Sequence, residues 1–459
     1  MQLPEHFAQY TLELMGQARF DALAQGLEQE PPASIRLNPL KPITHRMPEG
    51  TLPVPWCAEG RYLPSRPNFT ADPLLHAGAY YVQEAASMFV THVLRQYVHT
   101  PVRMLDLCAA PGGKSTAARS VLPEGSLLFA NEPIRQRANI LCENIQKYGH
   151  ADVVVTNNYP REYRKARIMF DVILADVPCS GEGMFRKDAG AVADWSPRKV
   201  AECAALQRDI VADAWQCLAP GGLLIYSTCT FNAEEDEKNV AWIAQELGGD
   251  VLPIDTQEEW NITGPLWGDA PCCRFLPGTS RGEGLFMAAI RKHGDAPAAD
   301  RKERRRKRDA TAKRTPTPKG FTLPLRESGL FELLADDGRL MAIRKPFADV
   351  ARTALQSLNV MQAGIVVGVE KGKAVVPQQA LALAADLDRT AFPTVQVDTP
   401  TALSYLHRDA ITLPEGTPTG YVLVACQGHP LGFVKNIGPR CNNLYPAEWR
   451  IRSAHLIEQ

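Results

Sequence analysis

Several features are missing from this chain of 459 residues, and each absence narrows what the protein can be. No apolar run approaches the ~18–20 residues that a membrane-spanning helix requires, so no membrane partner is expected. The opening MQLPEHFAQY has neither a basic start nor an apolar stretch behind it, which argues against a secretory signal and for a cytoplasmic protein. The 11 cysteines include no Cys-x-x-Cys pair, so no metal site is expected. A disulfide framework would be out of place in a large cytosolic chain, and most of the cysteines should pack as small buried hydrophobes. A charge imbalance is missing too: 50 Lys and Arg stand against 51 Asp and Glu. Any attraction to a polyanion must therefore come from local clusters.

What is present is an ordinary globular composition in a chain too long for one domain. Residues 1–100 mix short helical segments with Pro-rich stretches, and SIRLNPLK (34–41) looks like a strand running into a turn. From 101 an α/β rhythm begins. VRMLDLC (102–108), SLLFANE (126–132), DVVVT (152–156), DVILAD (171–176) and GLLIYST (222–228) read as buried parallel strands, with helical stretches such as 114–122 and 134–149 between them. GEGLFMAAIRK (282–292) reads as a late, edge-type strand. This alternation predicts a doubly wound, Rossmann-like α/β sheet over 101–292. Residues 293–320, including RKERRRKR (301–308), are basic and poor in apolar side chains. They read as a solvated linker that either only spaces the domains or also touches phosphates. A second globular region occupies 321–459, with hairpin-like strands at 338–346 and 363–377, and two strands around a turn in 420–451. The chain is expected to act as a monomer.

MLDLCAAPGGKS (104–115) is a strand, a Gly-rich turn and a helix start. Such a turn brings backbone N–H groups and a helix N-terminus close to a polar ligand. The next strand ends in Glu132, placed to bind two ribose hydroxyls as in other nucleoside-binding doubly wound folds. Asp106 lies inside the first strand, where a charge needs a reason. A phosphate-binding P-loop nearly fits Gly113, Lys114 and Ser115, but its first glycine would fall at Cys108, and Pro111 removes an N–H from the cradle. A purely structural turn is the other alternative, and Glu132 at this distance argues against it.

DVPCSGEG (176–183) follows the fourth strand and YSTCTFN (226–232) the fifth, so both should face the crevice at the carboxyl ends of the strands. Cys142, Cys203, Cys217 and Cys426 are expected to be packing residues. For Cys179 and Cys229 the loop position and polar neighbours favour chemistry.

CAAPGGKS, ADVPCSGEGMFRKD and LAPGGLLIYSTCTFNAEEDE resemble the signature motifs of the Nop/Sun family of RNA cytosine-5 methyltransferases. The order of the chain and its C-terminal extension resemble the bacterial RsmF type, which modifies small-subunit ribosomal RNA. YYVQEAASM (80–88) and LGFVKN (431–436) extend the likeness over nearly the whole chain. The resemblance implies an N-terminal RNA-binding segment, a methyltransferase core and a PUA-like RNA-binding tail. It implies S-adenosylmethionine contacts along Cys108, Ala109, Ala110, Pro111, Gly112, Gly113 and Lys114, and at Glu132 and Asp176. It implies Cys229 as nucleophile, with Cys179 assisting product release. Where the family often carries an acidic or polar residue near the adenine, this chain has Asn158 and Tyr159, and either can meet the base.

The chemistry explains the residue types. Carbon 5 of cytosine becomes nucleophilic once a thiolate has added to carbon 6. A free thiol with a pKa near ~8.5 is mostly protonated at neutral pH, so a nearby cation such as Lys114 should help. A protonated Asp176 could donate to the ring of the adduct. Arg186 and Lys187 are expected either at RNA phosphates or on a solvated face. In the tail, Lys435, Arg440, Arg450 and Trp449 are candidates for phosphate contact and base stacking. The target base must leave any stack, which single-stranded RNA makes cheapest. Transfer RNA is the alternative substrate. A DNA cytosine-5 methyltransferase would use Cys179 and have no need of Cys229; a nucleotide hydrolase and a non-catalytic RNA-binding protein are the remaining rivals.

Overall fold

A computed structural model describes residues 3–44, 47–294, 318, 321–372 and 374–452. The sheet at its centre contains five parallel strands in the spatial order Leu218–Thr228, Phe170–Asp176, Arg103–Asp106, Leu127–Asn131 and Val153–Thr156. LLFAN and VVVT are buried at every position, because helices cover both faces of the sheet. Met104, Val172, Leu174 and Ile225 pack on one side with Ala117, Leu141 and Ile145. Leu105, Ile173 and Leu224 pack on the other with Tyr163, Val211 and Trp215.

The helices start and stop where their sequences say they should. Arg135–Tyr148 buries Ala138, Leu141, Cys142, Ile145 and Tyr148 as one stripe, then ends at Gly149 in the left-handed region. Pro197–Trp215 begins with a Ser196 side-chain cap on the Lys199 N–H and a proline in the first turn. These helices aim the carboxyl ends of the parallel strands at one crevice.

The expected edge strand is interior. Leu285–Lys292 runs antiparallel to Leu218–Thr228 and is flanked on its other side by Gly249–Leu252, with Cys273–Phe275 also paired to it. Its run LFMAAI is buried throughout, as an inner strand should be. At the opposite side of the sheet, Val360–Ala363 pairs antiparallel with Val153–Thr156. The chain beyond the basic stretch thus supplies a strand to the core sheet, and Leu334, Met341, Ala351 and Val360 share one apolar cluster with Leu105 and Ile173. Covering an edge in this way removes unpaired backbone groups.

Residues before the core form a four-stranded sheet, Leu52–Val54, Cys57–Tyr62, Ser34–Leu37 and Tyr80–Val82, with helices Glu5–Met15 and Gln17–Glu28 ahead of it. At the C-terminal end, Gly420–Cys426 and His429–Asn436 form the expected pair around a turn at Gln427 and Gly428, both at positive φ. The stretch 301–308 lies outside the described residues. All 11 cysteines are free. Cys142, Cys217 and Cys426 are buried, while Cys203 is only partly so. Among the described residues no helix is long and apolar enough to cross a membrane.

Candidate active site

The Gly-rich turn follows Asp106, which is fully buried and accepts a hydrogen bond from Ser115 Oγ at 2.6 Å. Burial pushes its carboxyl up to about 7, with Ser115 opposing. The turn depends on its two glycines for different reasons. Gly112 has φ 112°, a left-handed conformation that strains any side chain. Gly113 opens helix Gly113–Val121, and a Cβ there would lie 3.3 Å from Tyr81 Cε1 and 3.4 Å from Gln83 Nε2. The segment ahead of the core therefore packs directly on the loop. The two enclose a cavity of about 210 Å³ lined by Ala109, Ala110 and Pro111 and, among others, Tyr81, Gln83, Ser87, Cys108, Lys114 and Asp176. Tyr81, Gln83 and Ser87 were not among the sequence candidates; YYVQEAASM marked the segment but not the side chains that face the cavity.

Glu132, Asn158 and Tyr159 do not line this cavity. Glu132 is 1% exposed, and its Oε1 accepts from the Ile134 N–H at 3.0 Å. Its Oε2 is buried without a hydrogen-bond partner, with Arg137 at 3.6 Å. A buried carboxylate oxygen without a donor calls for one, and a ribose hydroxyl is such a donor. On that observation the site fits a nucleoside-bearing cofactor. Asn158 is also buried, but its Oδ1 accepts from the Asn359 N–H, tying it to the chain that covers the sheet edge. Tyr159 is 57% exposed.

The two loop cysteines meet. Cys179 Sγ lies 3.2 Å from Cys229 Sγ. Beside them, Lys114 Nζ donates to Asp176 Oδ2 at 2.8 Å, and Ser227 Oγ donates to Asp176 Oδ1 at 2.7 Å. Both oxygens of Asp176 thus have partners within the protein. The hydrogen bond with Cys229, followed by burial, holds the Cys179 thiol well above its usual range. Burial works against the Lys114 ammonium, yet Asp176 outweighs it and raises its pKa, with Cys229 adding to the effect. Lys114 is therefore a fixed positive charge next to the cysteine pair.

Buried carboxylates set both cysteine loops. Glu235 Oε2 accepts from the Ser180 N–H at 2.9 Å and from Gln207 Nε2 at 2.7 Å. Asp236 Oδ1 accepts from Thr228 Oγ1 at 2.5 Å and from Thr230 Oγ1 at 3.0 Å, on either side of Cys229. Asp236 and Glu237 are in turn paired with buried Arg274. Glu182 accepts from the N–H groups of Phe231 and Asn232 and from the side chains of Trp195 and Asn232. Gly183 N–H donates to the Cys229 carbonyl at 2.6 Å, and a Cβ on Gly183 would sit 2.3 Å from that oxygen. These acids were missed as site residues. For Glu235, Asp236 and Glu237 the signal was present in AEEDE directly after the cysteine motif, but an acidic run at a helix start reads as a solvated first turn, while Glu182 stood inside DVPCSGEG.

Two expectations for basic residues change. Arg186 is neither solvated nor free for phosphate: its side chain is 5% exposed, pairs with Glu283 at 2.9 Å and donates to the carbonyls of Gly26 and Gly282. Lys187 also pairs with Glu283. In the tail, Lys435, Arg440 and Arg450 are exposed, whereas Trp449 is half-buried against Tyr445 and lies under Lys147 Nζ of the core at 5.4 Å.

Comparison with known proteins agrees along the chain. Residues 97–291 match the family described as 16S rRNA methyltransferase RsmB/F. Residues 3–85 match the N-terminal domain of 16S rRNA methyltransferase RsmF, and residues 392–451 the RsmF PUA domain. Ribosomal RNA small subunit methyltransferase F of Escherichia coli is 31% identical, covering 94% of this chain and 92% of its own length. The protein of the same name from Cronobacter sakazakii is 31% identical over 97% of this chain and 96% of its own. Among solved structures, a methyltransferase homologue from Pyrococcus horikoshii superposes with a TM-score of 0.54 at 25% identity, covering 63% of this chain and 95% of its own. NSun6 from the same organism gives 0.53 at 20% identity over 64% and 99%, a likeness of fold.

Proposed function

The chain belongs to the RsmF family of small-subunit ribosomal RNA methyltransferases, and from that premise we propose how its crevice divides the labour of methylating carbon 5 of a cytosine, with Cys229 as nucleophile. The reaction is S-adenosylmethionine-dependent methylation of a cytosine in ribosomal RNA. S-adenosylmethionine, when bound, supplies the methyl group as an activated sulfonium. The residues that would hold it are the backbone from Cys108 to Lys114, Glu132 through its unpartnered oxygen, and Asp176, with Asn158 or Tyr159 towards the adenine.

The sulfur pair carries the assignment of the nucleophile. Cys179 Sγ sits 3.2 Å from Cys229 Sγ, and that contact together with burial holds the Cys179 thiol well above its usual range, which supports Cys229 as the sulfur that attacks. Lys114 adds a positive charge on the same side. The Cys229 thiolate adds to carbon 6, and the ring electrons move to carbon 5, which takes the methyl group. A water molecule takes the carbon 5 proton, the electrons of that C–H bond re-form the double bond, and Cys229 leaves as its thiolate. The Cys179 S–H, hydrogen-bonded to the departing sulfur, stabilises it as it leaves. Asp176 holds Lys114 in place. The N-terminal segment 1–100 and the PUA-like tail hold the RNA, and the protein acts as a cytoplasmic monomer.

The test is transfer of labelled methyl from S-adenosylmethionine to small-subunit ribosomal RNA from cells lacking the gene, followed by bisulfite mapping. One or a few cytosines should become resistant to deamination. RNA that takes up no label, or takes it up only at positions other than carbon 5, would overturn the reading.

A further inference from the structure

Tyr81 and Val82 line two cavities, one on each side. The first is the cavity with Lys114 and Asp176. The second, of about 230 Å³, lies between the N-terminal sheet and helix Arg135–Tyr148. Arg36, Asn38, Asn144, Lys147 and Tyr148 are among the residues that line it, and none of its lining residues is acidic.

Arg36 is the unusual member. It is 1% exposed, and its hydrogen bonds go to neutral acceptors: Nε to Gln83 Oε1 at 2.8 Å, and Nη2 to Thr116 Oγ1 at 2.6 Å and to the Gly113 carbonyl at 3.4 Å. Among the described residues no carboxylate pairs with it, and Nη1 has no hydrogen-bond partner. Buried guanidinium groups are ordinarily paired, because desolvating the charge is expensive. Lys147 differs: Glu143 cancels its charge at 2.7 Å. The hydroxyl of Tyr148, a residue 5% exposed, likewise has no hydrogen-bond partner among the described residues. The cavity therefore offers one uncompensated positive charge and a spare hydroxyl, a set of donors suited to an anion.

We propose that this cavity is a phosphate subsite for the RNA strand, in which Arg36 and Tyr148 hold the phosphodiester of a nucleotide flanking the target cytosine. The assignment rests on the RNA methyltransferase reading above. Its position follows from the shared wall: Tyr81 and Val82 separate it from the cofactor cavity, whose Lys114 and Asp176 stand beside the cysteine pair, so the strand flanking a cytosine brought to Cys229 has this wall alongside it. Gln83 and Gly113 link the two, since both touch Arg36 and both line the first cavity. Filling the subsite thus braces the cofactor loop from behind.

The experiment uses the full chain and a single-stranded ribosomal RNA fragment containing the mapped cytosine. Affinity is measured over a range of salt for the wild type, Arg36→Met and Tyr148→Phe, alongside S-adenosylmethionine affinity and thermal melting. Arg36→Met should weaken RNA binding about ten-fold, the scale of one hydrogen-bonded ion, and lower the slope of log affinity against log salt by about 0.7, the share of one phosphate on a single strand. Tyr148→Phe should weaken binding a few-fold with the slope unchanged. A fragment carrying one neutral methylphosphonate, moved in turn through the flanking positions, should lose affinity for the wild type at one position and lose nothing further at that position for Arg36→Met. Equal affinities and slopes in folded variants would overturn the proposal. So would titration showing that inorganic phosphate binds in an Arg36-dependent way while RNA does not. If Arg36→Met does not fold, the methylphosphonate scan on the wild type decides, and a scan without a position-specific loss overturns the subsite. Failure of the underlying reading would look different: the wild type itself would leave the RNA unmethylated.

Discussion

Glu132, just beyond a strand, and Glu182, at the start of a short 3-10 helix, are both buried carboxylates on the same crevice, but they are finished differently. Glu132 keeps one buried oxygen without a hydrogen-bond partner. Glu182 has both oxygens engaged, by two backbone N–H groups and by the side chains of Trp195 and Asn232. The contrast extends to their surroundings. The cofactor end is a Gly-rich turn around a cavity, with polar capacity left open. At the cysteine end Glu235, Asp236 and Glu182 fix the backbone on both sides of the sulfur atoms. For these two glutamates, a buried oxygen left without a donor fits a ligand's place, whereas full engagement fits a loop held around a reacting atom.

The strongest way to break this contrast is at the sulfur atoms. Cys229→Ala should abolish methylation and give no covalent RNA adduct, while RNA and cofactor still bind. Cys179→Ala should stall after methyl transfer, with RNA attached through Cys229, because losing a late step lets the earlier adduct accumulate. A denaturing gel reads this as a slow band that requires cofactor and is absent from the double variant. An adduct that survives in Cys229→Ala and disappears in Cys179→Ala would reverse the roles.

Gly183→Ala tests the holding rather than the chemistry. Its Cβ would sit 2.3 Å from the Cys229 carbonyl oxygen, so the nucleophile loop must shift. A displacement of the order of 1 Å costs about 10²-fold in rate. The turnover number should fall on that scale while cofactor affinity stays within two-fold, measured by single-turnover methyl transfer and calorimetry. Unchanged turnover in the folded variant would show that the loop tolerates movement and that its buried acids are there for stability alone.

The cofactor end was far more legible in the sequence than the cysteine end's supports. Strand, Gly-Gly turn, helix and a second strand ending in Glu132 are local signals, each set by backbone sterics or apolar runs within a few residues. The cysteines were legible because they follow the fourth and fifth strands, whose ends must share a crevice. The acids of AEEDE were not, because a charge's burial depends on what packs over it from elsewhere, here Arg274 and Gln207. Arg186 was misread for the same reason, since Glu283 and the Gly26 carbonyl are remote in sequence. The strand Val360–Ala363 pairs with Val153–Thr156 from far along the chain, and no local pattern announces such a partner. That pairing also commits the Asn158 side chain, which sequence alone had left level with Tyr159.

The open end can be sharpened at Glu132. Glu132→Ala removes the unpartnered oxygen and should weaken S-adenosylmethionine binding by about 1–3 kcal/mol, the scale of hydrogen bonds to a charged group. Calorimetry measures it directly. RNA affinity should not change, and the cysteine adduct should still form once cofactor is saturating. Unaltered cofactor affinity in a folded variant would remove Glu132 from the site and with it the reading of its free oxygen as a ligand's place.

The smallest expected effect lies outside both ends. RKERRRKR at 301–308 carries the densest positive charge in the chain. Neutral glutamines at Arg304, Arg305 and Arg306 should flatten the salt dependence of RNA binding, by about 0.7 in slope for each single-strand phosphate that is no longer neutralised. Affinity at physiological salt should fall only modestly, because at that ionic strength exposed charges are screened beyond about 8 Å. Cofactor binding, turnover at saturating RNA and the cysteine adduct should all stay as in the wild type. Filter binding at four or five salt concentrations separates the outcomes. A flattened slope makes the stretch a third, purely electrostatic contributor to RNA affinity. An unaltered slope makes it a spacer, and leaves the charge that meets RNA to the folded domains.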